Sequence, residues 1–438
     1  MTCFEETVLK PDTELTIEKS SKSSWIRTVG RNFSATMISS IVDSVLRFLA
    51  YGYLARQLGP EAFGINAFMY TTTFFFGSLS DFGLRILGAR EIASHPDQAE
   101  KRVSVTLSLK LVFIALAYVL MQVFVLLARD SAQVRWLAVI YGLSLFGFNT
   151  ADWILMGLEQ MQHLGIAKII NGVGVFVLIL ALVHNPDDLL LVGSIESLTF
   201  LLAGGYLLFI ASRKVNIRLS FSLAEWKALF KETRSLGLSL VMIRFGTSLP
   251  VFALGLLSSD YELGIYRAVS LLPSFIEQAT RLLAEALLPT LSRIYVESKQ
   301  QFVHILVWIQ KYMTIGAVLL AVLGILIGGP LLSRVLGEEF HSGLRTYQVL
   351  MVVSGVVFSN QCLRRLLPAC HAQREYAYVM TLRTVVLLLL SLVLASRGST
   401  AEAWALLLAE IGASLLSIFL FQRQFPRTRL PEPLLRVV

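Results

Sequence analysis

The chain has 438 residues, of which 55% are hydrophobic and only 16% are charged, whereas soluble proteins carry roughly 25% charged residues. So few charges cannot cover a soluble globular surface of this size, and the mean hydropathy of +0.67 agrees with that conclusion. The formal net charge of +8 would suggest a nucleic-acid-binding protein if the chain were soluble, but in a membrane protein it is typical of basic cytoplasmic loops, so no nucleic-acid partner is expected.

Apolar blocks of about 20 residues, the length that crosses a bilayer as a helix, recur along the chain. They predict an all-α, polytopic membrane protein with about 12 transmembrane helices. The predicted spans lie near residues 35–56, 61–83, 104–128, 135–157, 163–183, 188–211, 235–258, 262–290, 303–329, 346–366, 373–396 and 402–422.

The distribution of basic residues predicts the direction of these spans. The first 33 residues are polar and contain no apolar core of a signal peptide, so the first membrane helix is expected to direct insertion. If the N-terminus is cytoplasmic, the inner loops and the tails near the membrane carry 24 Lys and Arg residues and the outer loops carry 6. Because Lys and Arg are retained on the cytoplasmic side during insertion, both termini are predicted to be cytoplasmic.

A short polar break, LARQLGPEAFG at residues 54–64, separates the first two spans. Gly59 and Pro60 are expected to end the first helix, which makes this stretch an outer hairpin. A similar stretch, LSSDYELGIYRAV, follows at residues 257–269, where Gly264 occupies the place of Gly64. A weaker echo relates residues 156–170 to residues 368–382. The chain therefore looks like two pseudo-symmetric six-helix lobes, related as parallel repeats because six spans return to the same side.

These patterns divide the chain into five predicted parts. They are a polar cytoplasmic tail (1–33), an N-terminal six-helix lobe (34–211), a basic amphipathic linker (212–234), a C-terminal six-helix lobe (235–423) and a cytoplasmic C-terminal tail (424–438). The apolar face of the linker suits either the anionic inner leaflet or packing on the protein itself. Two related bundles joined by a flexible connector are typical of an alternating-access transporter.

Charged side chains inside the spans point to a polar cleft, because an ionised group at mid-bilayer costs at least ~2.5–3.5 kcal/mol. Arg47 and Arg244 lie at similar depths in the first helix of each lobe, so they could face each other and bind a phosphate with their guanidinium groups. The anion-binding candidates are Arg47, Arg244, Arg281 and Lys311, and the ion-coupling candidates are Asp43, Glu196, Glu277 and Glu285.

Two simpler interpretations of these charges stay open. Arg47 can neutralise Asp43 one turn away, and Arg281 can neutralise its flanking Glu277 and Glu285, as structural ion pairs. Other cations within the spans are expected to extend to a membrane face, foremost Lys110, Arg267 and Arg383.

No motif for catalysis or for a metal is found. The chain has no Walker lysine loop, HExxH, Cys-x-x-Cys or GxSxG pattern, and no predicted outer loop exceeds about 20 residues. Its three cysteines have neither a disulfide framework nor metal-ligand spacing. The chain is therefore predicted not to be an enzyme, with no metal and no cofactor.

The hairpin LARQLGPEAFG, followed by SDFGLRILGAREIAS at residues 80–94, resembles the opening signature of the polysaccharide-transport, or oligosaccharide flippase, family. That family belongs to the multidrug/oligosaccharidyl-lipid/polysaccharide exporter superfamily. ALLPTLSRIY (286–295) and PLLSRVLGEEF (330–340) resemble its later segments, and the likeness extends from about residue 34 to the C-terminus. The signature positions have an expected structural role: Gly59, Pro60, Gly64, Arg90, Glu91 and Gly264.

The resemblance implies a multi-pass flippase in the cytoplasmic membrane of a bacterium or archaeon. Its substrate would be a polyprenyl-pyrophosphate-linked oligosaccharide for a surface polysaccharide such as O-antigen or exopolysaccharide, moved from the inner to the outer leaflet. A proton or sodium gradient would supply the energy, and membrane lipids and glycan-assembly polymerase or ligase proteins would be its other partners.

Two other functions are also considered. A multidrug or small-molecule exporter of the same superfamily would be expected to have an acidic, aromatic cleft. A membrane scaffold for glycan assembly would keep its function when Arg47 or Arg244 is neutralised.

Overall fold

A computed structural model describes residues 11–424 except 148–149 and 370–372, and it describes side chains from residue 37 onward, except those at 286, 288–289, 362, 365–373 and 424. The first ten residues and nearly all of the predicted C-terminal tail therefore lie outside the described residues. The side chains of all three cysteines lie outside them as well.

Helices account for nearly all of the described chain, and no strand occurs within it. They are α1 (Pro11–Asp81), α2 (Leu84–Ser94), α3 (Ala99–Ala128), α4 (Ala132–Gly147), α5 (Asp152–Gly157), α6 (Met161–Leu182), α7 (Leu189–Ser212), α8 (Leu223–Leu257), α9 (Asp260–Val269), α10 (Leu271–Glu297), α11 (Lys299–Leu331), α12 (Leu344–Ala369), α13 (Gln373–Leu394) and α14 (Ser399–Gln424). Short 3-10 helices lie at Pro96–Gln98, Pro186–Asp188, Glu338–Gly343 and Ala395–Arg397, and a π-helix lies at Leu332–Leu336.

Local sequence explains where several helices begin and break. Gly59 adopts a φ of 70°, which side chains disfavour, and with Pro60 it interrupts α1 at the predicted hairpin. Gly83, with a φ of 82°, separates α1 from α2. The hydroxyl oxygens of Ser222 and Ser259 accept hydrogen bonds from backbone N–H groups three residues on, and they cap the N-termini of α8 and α9.

Within the described residues, nine helical segments are long and apolar enough to cross a membrane. One of them, Met37–Asp81, contains both of the first two predicted spans because α1 continues past the break at Gly59. The predicted spans 262–290 and 346–366 fall on α9, α10 and α12, which are not among the nine. The all-α, multi-span fold is thus confirmed, while the count of twelve and the cytoplasmic termini stay predictions.

The N-terminal half of the molecule, up to Ser212, packs on the C-terminal half, which begins with α8. Helix α1 packs most extensively on α6 of its own half and on α9 of the other half. One end of the molecule contains the Gly59 break, the C-terminus of α3 and the C-terminus of α8, and we call it the hairpin end. The opposite end, where residues 213–222 connect the halves, is the linker end.

The predicted linker packs on the N-terminal half through α8, which continues without a break into the predicted seventh span. Leu229 belongs to a buried cluster with Leu84 and Leu109, and the indole N–H of Trp226 donates to the hydroxyl oxygen of Ser108 at 3.1 Å. Leu223 stays 71% exposed. The Phe230 ring stacks on that of Phe82, with the ring centres 5.6 Å apart. Packing on the protein therefore accounts for three of the four apolar residues on that face, Trp226, Leu229 and Phe230, but not for Leu223.

Candidate functional site

Two cavities lie side by side towards the linker end. The N-terminal cavity, of about 490 Å³, is lined by α1, α2, α4, α5, α6 and α7, and by Gln278 and Arg281 of α10. The C-terminal cavity, of about 660 Å³, is lined by α8, α10, α12, α13 and α14. Gln278 and Arg281 line both cavities, so these two side chains form the boundary between them.

Arg47 lies at the centre of a buried network beside the N-terminal cavity. Its Nε lies 3.1 Å from the Asp43 Oδ1, and its Nη1 lies 3.8 Å from the Oε2 of the fully buried Glu196. It also donates hydrogen bonds to the Tyr70 hydroxyl and to the Asn171 side-chain oxygen. Arg47 therefore forms the predicted structural ion pair with Asp43, and it still lines the cavity.

Behind this network the Tyr51 hydroxyl donates to the Glu196 Oε1 at 2.5 Å. Arg47 thus interacts with two carboxylates, from α1 and α7, whose combined charge exceeds its own. Any group that draws Arg47 away leaves both acids without their cation, so a change at Arg47 affects Asp43 and Glu196 together.

Two further cations, which the sequence analysis counted only as loop charges, line the same cavity. Arg85 binds Asp152 at 2.5 Å, and Lys168 donates to the Ser40 hydroxyl oxygen at 2.8 Å. Lys168 also interacts electrostatically with Arg281, across the cavity on α10. The lining therefore contains four cationic and two anionic side chains, Arg47, Arg85, Lys168 and Arg281 against Asp43 and Asp152.

The structure brings together only part of the predicted anion site. Arg47 and Arg281 line the N-terminal cavity, whereas Arg244 and Lys311 are exposed and line neither described cavity. Arg244 is still close enough to Tyr70 for an electrostatic interaction. Of the ion-coupling candidates, Glu277 lines the C-terminal cavity, and Glu285 interacts electrostatically with Lys168.

Two cations expected at a membrane face instead form ion pairs inside the protein. The Lys110 Nζ has no exposed surface and lies 2.8 Å from the Asp81 Oδ1. Arg383 donates through its Nε to Glu410, which also accepts from the Arg364 Nη2 at 2.7 Å. The expectation for Lys110 and Arg383 was wrong because a buried carboxylate on a neighbouring helix stabilises each cation better than a long path to the surface.

The hairpin end is closed by direct contact of backbones. A Cβ added to Gly64 would collide with the carbonyl oxygen of Asp260, and one added to Gly264 would collide with that of Pro60. The two glycines of the predicted repeat thus lie against each other where α1 crosses α9.

An ion pair that the sequence analysis did not identify lies beside this crossing. The Arg129 Nη1 donates to the Asp260 Oδ2 at 3.1 Å, and its Nη2 lies 2.8 Å from the Oδ1. The same guanidinium group lies 4.8 Å from the centre of the Phe68 ring. Arg129 follows α3 and Asp260 begins α9, so the pair links the two halves at the hairpin end.

The remaining signature residues lie at the linker end. Arg90 lies 2.7 Å from Glu232 of α8 and 3.4 Å from Glu91, which in turn lies 3.6 Å from Arg102. These pairs connect α2 to α3 and α8 over the protein surface. Within the described residues, no cluster of three or more His, Cys, Asp or Glu side chains is arranged to hold a metal ion.

Comparisons with known proteins agree with this architecture. A family model described as "Polysaccharide biosynthesis protein" matches residues 29–295. The chain is 24% identical over 335 residues to "Putative O-antigen transporter" of Escherichia coli (strain K12), covering 72% of this chain and 76% of that protein. A protein of the same name from Shigella dysenteriae is 24% identical over 301 residues, covering 67% and 74%.

Solved transporter structures share the fold. One, titled "Lipid II flippase MurJ, inward closed conformation", matches with a TM-score of 0.70 at 13% identity, over 89% of this chain and 87% of that one. Another, an inward-facing multidrug resistance MATE family transporter of the MOP superfamily, matches with a TM-score of 0.65 at 16% identity, over 87% and 94%. At these identities the likeness shows the fold alone. The relatives have transporter names, which agrees with the prediction of a multi-pass membrane protein that is not an enzyme.

Proposed function

Because this chain belongs to the polysaccharide biosynthesis protein family, we propose that it moves a polyprenyl-diphosphate-linked oligosaccharide from the inner to the outer leaflet of the bacterial cytoplasmic membrane. The observation that carries the proposal is the N-terminal cavity, whose lining has twice as many cations as acids. A diphosphate esterified by a lipid at one end and a sugar at the other is a compact dianion, and guanidinium groups bind its oxygens in pairs.

The cations of this cavity differ in how readily they can bind a phosphate. Arg85 is 39% exposed and forms an ion pair with Asp152, while Lys168 donates a hydrogen bond to the neutral hydroxyl group of Ser40. With Arg281 opposite on α10, these cations can surround an anion that enters from the linker end. Arg47 lies deeper and is the last cation that the anion would reach.

We infer an alternating-access cycle from the difference between the two ends. The hairpin end is closed by the Gly64–Gly264 crossing and by the Arg129–Asp260 pair, while the cavities lie at the linker end. If the linker end is cytoplasmic, as the basic loops predict, the conformation is suited to loading from the inner leaflet. Release to the outer leaflet then requires the Arg129–Asp260 pair to separate.

Ion coupling fits the same network. When an anion draws Arg47 away from Asp43 and Glu196, two carboxylates remain that no longer have their cation, and burying them in that state is costly. A proton or sodium ion would neutralise them. We therefore favour Asp43 and Glu196 over Glu277 and Glu285 as the coupling groups, and we keep glycan-assembly polymerases or ligases as expected partners.

The lining does not favour the alternative of a cation exporter, because the N-terminal cavity has an excess of cations, which repels cationic substrates. The scaffold alternative makes a different prediction, namely that charge removal inside the cavity has no effect on function.

The test is genetic and uses the native bacterium. Deletion of the gene should abolish the surface polysaccharide and cause the lipid-linked precursor to accumulate in the inner leaflet. Complementation with Lys168→Gln or Arg281→Gln should restore about a tenth or less of the surface polysaccharide, because each charged contact to a phosphate contributes about 1.5–3 kcal/mol. Lys227→Gln is the matched control, since Lys227 is exposed on α8 and lines neither cavity.

An unchanged surface polysaccharide after deletion would exclude the flippase function. Full activity of both cavity variants, at normal protein levels, would instead support the scaffold.

A further inference from the structure

The two cavities differ in chemistry as well as in position. In the N-terminal cavity six lining side chains are charged, and four lining residues have an uncharged hydroxyl or amide. In the larger C-terminal cavity eight lining residues have such a group. The wall of the C-terminal cavity can therefore form many neutral hydrogen bonds.

The charges of the C-terminal cavity balance without a ligand. Apart from the shared Arg281, its lining has two cations, Arg364 and Arg383, and two acids, Glu277 and Glu410. Glu410 accepts from both arginines, and Arg364 also donates to the Ser414 hydroxyl oxygen at 3.0 Å. Because these cations are already neutralised, the cavity offers no strong attraction to a phosphate.

Several neutral polar groups remain available to a ligand. Within the described part of the chain, the side-chain amide of Gln361 and the hydroxyl of Thr381 have no hydrogen-bond partner, although both line the cavity. Tyr376 adds an aromatic ring, and Met242 and Val385 add apolar surface. Hydrogen-bonding groups interleaved with an aromatic ring and apolar patches match a sugar, which presents hydroxyl groups at its edge and C–H groups on its faces.

The size of the cavity agrees with this ligand class. Its volume of about 660 Å³ lies within the roughly 300–1,000 Å³ of pockets that enclose small ligands, so it has room for the first sugars of a glycan. Gln278 and Arg281 lie where the C-terminal cavity meets the N-terminal cavity. A diphosphate and the sugar bonded directly to it can therefore occupy the two neighbouring cavities.

We propose that the C-terminal cavity binds the uncharged, hydroxyl-rich sugars next to the diphosphate, while the N-terminal cavity binds the diphosphate itself. This inference rests on the proposed function and assigns one part of the substrate to each half of the molecule. The C-terminal half then distinguishes one glycan from another, and the N-terminal half recognises what all such lipids share.

The experiment measures binding of two probes to the purified full chain in detergent. One probe is undecaprenyl diphosphate capped by a methyl ester, and the other is the same diphosphate capped by a disaccharide of N-acetylglucosamine, so that both probes are dianions. The wild type should bind the glycan-bearing probe at least about tenfold more tightly, because several additional hydrogen bonds form. In the shape-preserving double variant Gln361→Met/Thr381→Val, the affinity for that probe should fall about tenfold, while the affinity for the methyl-capped probe stays within about twofold.

Two matched variants complete the test. Thr381→Ser keeps the hydroxyl and should keep most of the wild-type preference. Lys168→Gln, in the N-terminal cavity, should lower the affinity for both probes by the same factor. Thermal unfolding of every variant in the same detergent establishes that each is folded.

The outcomes separate this inference from the function on which it rests. Equal affinity of the wild type for both probes would overturn the glycan site, and so would an equal loss of affinity for both probes in the double variant. Neither result would contradict the diphosphate site. Failure of the wild type to bind either probe would overturn the proposed function, and this inference with it.

Discussion

The two ends of the molecule each have an arginine–carboxylate pair between the N-terminal and C-terminal halves, but the surroundings of the pairs differ. At the hairpin end, the side chains of Arg129 and Asp260 are 17% and 26% exposed, and the pair lies beside the Gly64–Gly264 crossing. At the linker end, the side chains of Arg90 and Glu232 are 62% and 50% exposed, and two cavities lie nearby.

Because of this difference, two similar ion pairs hold the halves together with unequal strength. A pair shielded from water retains its attraction, whereas an exposed pair is weakened by water and salt. The hairpin end is therefore held shut by backbone contact and one shielded pair. At the linker end the Arg90–Glu232 pair is weak, and the halves are joined there mainly by the packing of Trp226 and Leu229 of α8 on the N-terminal half.

The strongest test of this contrast is the glycine crossing at the hairpin end. Gly264→Ala places a methyl group against the carbonyl oxygen of Pro60, so the helices must move apart. We expect the free energy of unfolding to fall by about 1–3 kcal/mol, measured by thermal unfolding of the purified protein in detergent.

Gly205→Ala in α7 is the matched control, because nothing lies within 4 Å of its added Cβ. Its stability should be unchanged or slightly higher, since alanine favours a helix by up to about 1 kcal/mol over glycine. Equal stability of the two variants would show that the close crossing does not hold the hairpin end together.

A smaller effect is expected from the shielded ion pair. Arg129→Gln removes two contacts with Asp260. This should favour opening of the hairpin end by about 1.5 kcal/mol, which raises the population of the open conformation about tenfold. The measurement is the maleimide labelling rate of a cysteine introduced at Ala67, which is 3% exposed, in a chain otherwise free of cysteine. Labelling should be about tenfold faster than with Arg129 intact.

Arg135→Gln is the control for charge at the same end, since Arg135 makes only a 3.5 Å contact with the exposed Asp130. Its labelling rate should match that of the parent. If the two arginine variants accelerate labelling equally, general loss of charge rather than the specific pair controls closure.

The sequence alone predicted the parts of this contrast that depend on local features. Apolar block length predicted the membrane helices, and the turn residues Gly59 and Pro60 predicted the hairpin, because these features act on their immediate neighbours. The repeat also identified Gly64 and Gly264 as related positions, although their direct contact required the structure.

The candidate site was only partly predictable, because periodicity shows which residues share a helix face but not which helix that face meets. Arg129 and Asp260 are 131 residues apart, and Arg364, Arg383 and Glu410 come from three helices. The prediction of Arg47 rested on its depth in the first span, and the structure places it at the cavity. The same argument selected Arg244, which lines neither cavity, since depth does not determine the direction of a side chain.

The smallest effect is expected at the linker end. Arg90→Gln should lower the free energy of unfolding by no more than about 1 kcal/mol, because its pair with Glu232 is mostly exposed. The difference from wild type, measured by thermal unfolding, should shrink further in about 1 M salt, where the Debye length is about 3 Å. A salt-independent loss as large as that of Gly264→Ala would mean that the exposed pair stabilises the fold as strongly as the glycine crossing does, and the contrast between the exposed and the shielded pair would be lost.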